Sequence, residues 1–370
     1  MIDAPGPWGT GPFILTEGSS SLENEIGLIQ AEPFACTWLD TATPRTDRVV
    51  LEANREHWNS QRGPRLERVE FRNELSPAEA LALVCSGEGE VDIVSEVAPA
   101  DAQRVIDSEH AKLVRVDAMR VLVGIVNREA EGAPLGDVRA RRALNLAVDR
   151  ARLIRESFAG YAHSLAGLTP HYAVGVPPGQ RPFPYDPDQA RDLLAGAGWP
   201  RGRELRLAAP ADLEGVARRL AEDFTGSLGV EVDLTLIPAD RLLAAQHALV
   251  EKVLPLPYDV LLFAWLDLSS DAPPAFMHGQ FFSTTGAFRA GPPIREFDEL
   301  MARFAAATDQ RTLTALTTDL DRFVYDQALA VFLCAPQALY AVNRHVSFDG
   351  YATTFELAET EVAPEHWSRR

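Results

Sequence analysis

The sequence predicts an α/β fold with at least part of its sheet parallel, and three observations carry that prediction. The first is a strand–helix–strand unit. Residues 204–209 (ELRLAA) read as a short strand, and Leu213, Val216, Ala217, Leu220 and Phe224 then mark one face of a helix that stops near Gly229. Val230, Val232, Leu234 and Leu236 alternate with Glu231, Asp233 and Thr235, the period of a half-buried strand. Two strands joined through a helix in so short a stretch lie parallel. The second observation is the run 259–265 (DVLLFAW), apolar enough for a strand covered on both faces.

The third is a set of helices with clear starts and stops. Ser76-Pro77-Ala78-Glu79 is a capping box with proline in the first turn. Leu81, Val84 and Cys85 form the apolar face behind it, and Gly87 ends the helix. Asp186-Pro187-Asp188-Gln189 opens another helix, which runs through Leu193 and Leu194 to Gly198. Helical spacing returns at Leu144, Ala147, Val148 and Ala151, and again at Phe297, Leu300, Met301 and Phe304. Residues 19–47 and 267–293 read as loops.

The chain has 370 residues, 46% of them hydrophobic and 24% charged, which favours two lobes over one globule. No apolar run is long enough to cross a membrane as a helix. The opening residues MIDAPGPWGTGPF carry neither a basic nor an apolar leader region, so the sequence as read predicts no secretory signal. A net charge of −18 opposes binding to nucleic acid or anionic lipid. Cys36, Cys85 and Cys334 are too scattered for a disulfide framework or a zinc motif, and Cys85 is expected to be a buried structural thiol. The arginines at 139, 141, 142, 150, 152 and 155 are expected to form a solvated face with ion pairs.

Several segments, read in order, resemble family 5 of the bacterial extracellular solute-binding proteins, which serve ABC importers of peptides and nickel chelates. Gly9-Thr10-Gly11-Pro12-Phe13 is similar to the family's GTGPY/F element. Leu51 to Trp58 (LEANREHW) resembles its LxxNxxYW stretch, with His57 in place of tyrosine. Ser86 to Ile93 (SGEGEVDI) resembles its SGEVDI turn with two extra residues, and Asp137 to Arg150 (DVRARRALNLAVDR) resembles DVRVRQALNYAIDR. Tyr185-Asp186-Pro187 through Trp199 and Tyr258-Asp259-Val260 through Asp271 resemble two further segments.

The resemblance implies a two-lobed, periplasmic-binding-protein-like (type II) fold, with mixed sheets and helices on both faces. One lobe would hold residues 1–126 with 333–370, the other 127–332, with crossings near Val123–Asn127 and Ala330–Leu333. The first lobe is expected to be N-terminally reduced and to carry an insertion near 19–47. Missing strands there would predict a second copy or a partner chain covering an exposed edge. The resemblance further implies a solute-binding component, without chemistry or cofactor, that encloses a peptide or similar polar solute and delivers it to an ABC permease.

An acidic residue after the family's conserved tryptophan pairs with a peptide ammonium, and Asp271 holds the matching position, with Ala272 where proline is usual. Asp267 and Trp265 are the other expected ligand contacts. Each has a plainer alternative: a loop carboxylate capping backbone N–H groups, or a strand-end tryptophan in the core. A cell-envelope location follows from the family, while the missing leader leaves a cytoplasmic ligand sensor open. A hydrolase built on Cys36 and His57, or on His163, His171 or His278, is the third reading, although none has metal-ligand or nucleophile company at a diagnostic spacing.

Overall fold

In the computed structural model, which describes residues 9–18, 46–59, 61–239, 241, 258–266, 275–351 and 356–370, the chain divides into two units. One comprises Met1–Val116 with Ala338–Arg370, the other Asp117–Gln337. The chain therefore passes between units at 116/117 and 337/338, where the sequence pointed to 126/127 and 332/333. The offset has a simple cause: the strands at both crossings belong whole to the sheet of the second unit, so the chain leaves it beyond their ends.

In the first unit, β1 (Phe13–Glu17), β2 (Arg48–Ala53) and β3 (Arg68–Arg72) form an antiparallel meander in which Val50 is buried. Helix α1 (Pro77–Ser86) starts at the expected capping box: the Ser76 hydroxyl accepts from Glu79 N at 3.3 Å, and Ser76 N donates to the Glu79 carboxylate at 3.0 Å. Leu81 and Val84 are buried, but Cys85 is only half-buried, because it sits on the shoulder of the apolar face. Strand β4 (Ile93–Val94), helix α2 (Ala102–Ile106) and β5 (Ala111–Val116) follow. The chain returns as β12 (Ala338–Asn343), which pairs antiparallel with both β4 and β5 and is buried throughout. A short pair, β13 (Val346–Ser347) and β14 (Glu361–Val362), precedes the C-terminus. Asp92 then clamps the tail, its Oδ1 accepting from Asn343 Nδ2 at 3.2 Å, His366 Nε2 at 2.9 Å and Trp367 Nε1 at 2.9 Å.

The second unit is built on six strands: β6 (Arg120–Val126), β7 (Ala162–Ser164), β8 (Leu205–Pro210), β9 (Val232–Ile237), β10 (Val260–Leu266) and β11 (Ala330–Pro336). Their order is β7-β11-β6-β10-β8-β9, with β8 parallel to β9 and β10 and the other pairs antiparallel. The expected strand–helix–strand unit is present as β8, α6 (Glu214–Leu228) and β9. Strand β6 shows why the sheet is buried on both faces. Leu122 and Val126 point into a core with α3 (Val138–Leu146), α4 (Arg150–Phe158), α5 (Pro187–Gly196) and α6. Val121, Val123 and Ile125 point into a second core with α7 (Phe276–Phe282), α8 (Arg295–Ala306) and α9 (Gln310–Asp326). Gly124 lies mid-strand because β10 and β11 close in on it: a Cβ there would meet Val260 Cγ1 at 2.7 Å and Val331 Cβ at 3.3 Å.

Three expectations change. The helical pattern from Leu144 to Ala151 is two helices, because the Asp149 carboxylate caps a new start by accepting from Arg152 N at 2.9 Å. Inside the segment read as the loop 267–293, Phe276–Phe282 is helical, with Met277, His278, Phe281 and Phe282 buried; flanking Pro and Gly residues masked its short stripe. The arginine run is not a uniform solvated face. Arg139 pairs with Asp137 and Arg152 with Glu156 on the surface, but Arg141 and Arg150 are buried. Arg141 donates to the carbonyls of Gln327, Leu135 and Gly136. Arg150 donates to the carbonyls of Phe332, Asn145 and Phe183.

Asn145, fully buried, completes this knot. Its Nδ2 donates to Ala330 O at 2.9 Å, and its Oδ1 accepts from Phe332 N at 3.1 Å and Arg150 Nη2 at 3.1 Å. Asn145→Leu would orphan two backbone groups of β11 and weaken the hold on a buried guanidinium. A loss of about 2–4 kcal/mol in urea unfolding is expected; a loss under about 1 kcal/mol would show the knot to be incidental.

Asp223 on α6 gives a pH test. Burial pushes its carboxyl up to about 6, although the Asp149 N–H and the Arg219 charge oppose this. An unfolded aspartate titrates near ~3.9. The folded chain therefore holds a proton that the unfolded chain has released, and stability falls as pH rises from about 4 to about 6. The stability of Asp223→Asn relative to wild type should rise across that window and stay level above it. A difference that does not change with pH rejects the assignment.

Candidate functional site

Strands β8, β9 and β10 run in one direction and end at Pro210, Ile237 and Leu266. Register places Leu266 opposite Arg120, the first residue of β6, and Pro336, the last of β11, opposite Ala162. One edge of the sheet thus collects the carboxyl ends of the parallel strands, the start of β6 and the end of β11. In open α/β sheets this carboxyl edge is where ligands bind, because no helix covers the strand ends.

Two groups of side chains occupy it. Trp265, next to last in β10, is half-buried and packs against Phe281 at 5.4 Å and Phe263 at 6.2 Å between ring centroids. Phe263 and Phe281 also meet Phe288, so the indole rests on an aromatic bed that fixes its plane. The second group gathers around Asp117. Its Oδ1 accepts from His163 Nε2 at 2.8 Å and from Gln337 Nε2 at 2.7 Å. Tyr172 donates its hydroxyl to Ala118 O, and His171 lies edge-on to both His163 and Tyr172.

Electrostatics set the protonation of Asp117 and Tyr172. Partial burial raises the Asp117 carboxyl, but the hydrogen bonds from Gln337 and His163 outweigh it and leave it below the usual carboxylate range. Burial, aided by the Asp117 charge, raises the Tyr172 phenol, so it stays a neutral donor. The result is a half-exposed, ionised carboxylate with fixed orientation, flanked by rings, which suits a ligand cation or N–H donor.

Of the residues expected from sequence, Trp265 stands at this edge, while Asp267 and Asp271 lie outside the described residues, in the segment directly after β10. Cys36 also lies outside them. His57 is half-buried against Asn59 O, and His278 belongs to the core: it is 1% exposed and bonds Asp321, which also takes the N–H groups of Leu168 and Thr169. Asp117 and Gln337 escaped the sequence reading because they come from opposite ends of the unit. Their only signal was a polar residue at each end of a strongly apolar strand. Among the described residues, no group of three or more His, Cys, Asp or Glu side chains is placed to hold a metal ion, and no helix is long and apolar enough to cross a membrane.

The fold class is that of the two-lobed periplasmic binding proteins. The chain superposes on the ABC transporter substrate-binding protein CtaP of Listeria monocytogenes with a TM-score of 0.76 and 16% identity, over 96% of this chain and 67% of that one. It superposes on the periplasmic binding protein DppA of Helicobacter pylori, in complex with the peptide STSA, with a TM-score of 0.68 and 17% identity, over 96% and 63%. At such identities the likeness is one of fold. Within that class, the chain belongs to the bacterial extracellular solute-binding proteins, family 5, whose middle-region model matches residues 4–288.

A probable di/tripeptide-binding protein of Pseudomonas aeruginosa is 24% identical over 270 residues, which is 70% of this chain and 48% of that protein. The glutathione-binding protein GsiB of Pectobacterium atrosepticum is 27% identical over 204 residues, 53% and 38%. The matches thus span about half or less of the length of these relatives.

Removing a donor tests the electrostatics of the edge. In Gln337→Ala the Asp117 carboxyl should titrate at higher pH than in wild type, followed by the NMR shift of its carboxyl carbon. An unmoved titration would show that Gln337 does not hold the charge.

Proposed function

We propose that this chain is a solute-binding component of an ABC importer that binds a short peptide or a similar amine-bearing polar solute and performs no chemistry on it. The observation that carries this reading is membership of family 5 over residues 4–288, with relatives named for di/tripeptide and glutathione binding. The carboxyl edge of the second unit supplies matching chemistry: the Trp265 ring on its aromatic bed and the ionised Asp117. Asp271 and Asp267, on the segment that leaves β10 at this edge, are proposed as further ligand contacts, with Asp271 taking the ligand ammonium. The proposed location is the cell envelope, and the proposed partner is a permease of the ABC class.

The test is thermal unfolding of the full chain with di- and tripeptides, including glutathione, and with their N-acetylated forms. A ligand at about one hundred times its dissociation constant adds about 2.7 kcal/mol to the native state and raises the midpoint by several degrees. Free peptides should shift the midpoint, N-acetylation should reduce the shift, and Trp265→Ala and Asp271→Ala should each weaken binding by about tenfold or more. A cooperative transition unmoved by every peptide overturns the reading.

A further inference from the structure

The opposite edge of the same sheet carries a concentration of positive charge that the solute site does not use. Arg128, two residues beyond the end of β6, is only 9% exposed. Its side chain lies across Gly291: a Cβ on that glycine would stand 2.6 Å from Arg128 Cβ and 3.0 Å from its Cζ and Nε. With φ of +125° as well, position 291 requires glycine, and the loop closes directly on the guanidinium. Arg128 Nη2 donates to Pro292 O at 2.8 Å, and Arg289 Nη1 donates to Gly291 O from the same loop. Arg289 Nε is buried without a hydrogen-bond partner among the described residues.

Two guanidiniums therefore converge on one glycine, and backbone carbonyls are the partners they show. Among the described residues neither has a hydrogen-bonded carboxylate. Burial first, and then the Arg289 charge, lower the Arg128 guanidinium to about 10; Glu129 acts in the other direction, but its side chain is exposed. Arg141 adds a third charge nearby, with its own guanidinium donating to three carbonyls. Carbonyl dipoles satisfy donors but do not cancel net charge, and a cluster of partly desolvated like charges is costly without a counter-charge. The chain as a whole carries −18, so this local excess is not a general basic surface.

We propose that Arg128 and Arg289 form a binding site for a small free oxyanion of the phosphate or sulfate kind. The anion supplies the missing negative charge and accepts from the unpartnered Nε–H of Arg289. The fork of N–H groups on a guanidinium matches two oxygens of such an ion. The site lies at the sheet edge remote from Trp265 and Asp117, so it stands or falls independently of the solute reading.

Calorimetric titration of the full chain with sodium sulfate and with sodium phosphate, at ionic strength held with sodium chloride, tests it. Wild type should bind one of the two ions saturably with one-to-one stoichiometry, and Arg289→Gln should weaken that binding by at least about tenfold. Arg289 is only half-buried, so this variant is expected to fold, which circular dichroism checks. Crystals of the wild type soaked in selenate, a sulfate analogue, should show anomalous density within hydrogen-bond reach of Arg289 Nε. The proposal is overturned if wild type binds neither ion saturably, if Arg289→Gln binds as tightly as wild type, or if selenate density is absent from that position.

Discussion

The buried knot of Asn145 and Arg150 is the constraint on which the second unit depends. A sheet covered on both faces cannot satisfy stray polar groups with water, so helices packed on it need a way to lock their register. Asn145 does so by bonding the carbonyl of Ala330 and the N–H of Phe332 in β11, and Arg150 by bonding the carbonyl of Phe332. Strand β11 in turn pairs with β6, whose two faces feed the two cores. The helix pair, the centre of the sheet and both hydrophobic layers are thereby held to one small polar junction.

This junction sheds light on the sequence motifs. Asn145 and Arg150 close the segment DVRARRALNLAVDR, Asp186 caps a helix, and Asp92 clamps the C-terminal tail. Asp259, fully buried, takes Arg203 in a bidentate pair at 2.7 and 2.8 Å, together with the N–H and side chain of Arg206. Burial raises its carboxyl, but those donors outweigh it and keep it below the ordinary range. Each of these motif residues holds backbone in place. Residues of this kind mark the architecture, which is why they identify the fold better than the ligand.

Charge is distributed along the same lines. The strongly acidic composition is a property of the surface, where most arginines are answered by carboxylates, as in Arg152 with Glu156 and Arg218 with Glu214. Of the buried arginines, Arg128, Arg141 and Arg150 are answered by carbonyls, and Arg219 by the carboxylates of Glu156 and Glu222. One sheet edge ends with an ionised carboxylate at Asp117, the other with the paired guanidiniums of Arg128 and Arg289. The two ends of the sheet thus suit opposite ligand charges.

Local patterns in the sequence determined the helix starts at Ser76 and Asp186, the β8–α6–β9 unit and the doubly buried β10, because capping and periodicity act between residues a few positions apart. They failed at Asp149, where one carboxylate split a continuous apolar pattern, and at Phe276–Phe282, where a short helix hid among loop-forming residues. Trp265 became a candidate through the family resemblance, while its place near a strand end gave the plainer core reading. What only the tertiary structure decided was which distant polar groups meet. Asp117, His163 and Gln337 converge because β6, β7 and β11 share a sheet, and Arg128 meets Arg289 because a loop folds over the end of β6. Burial likewise turned Arg141 and Arg150 from surface charges into core donors. Such meetings depend on strand order and packing, which no local pattern encodes.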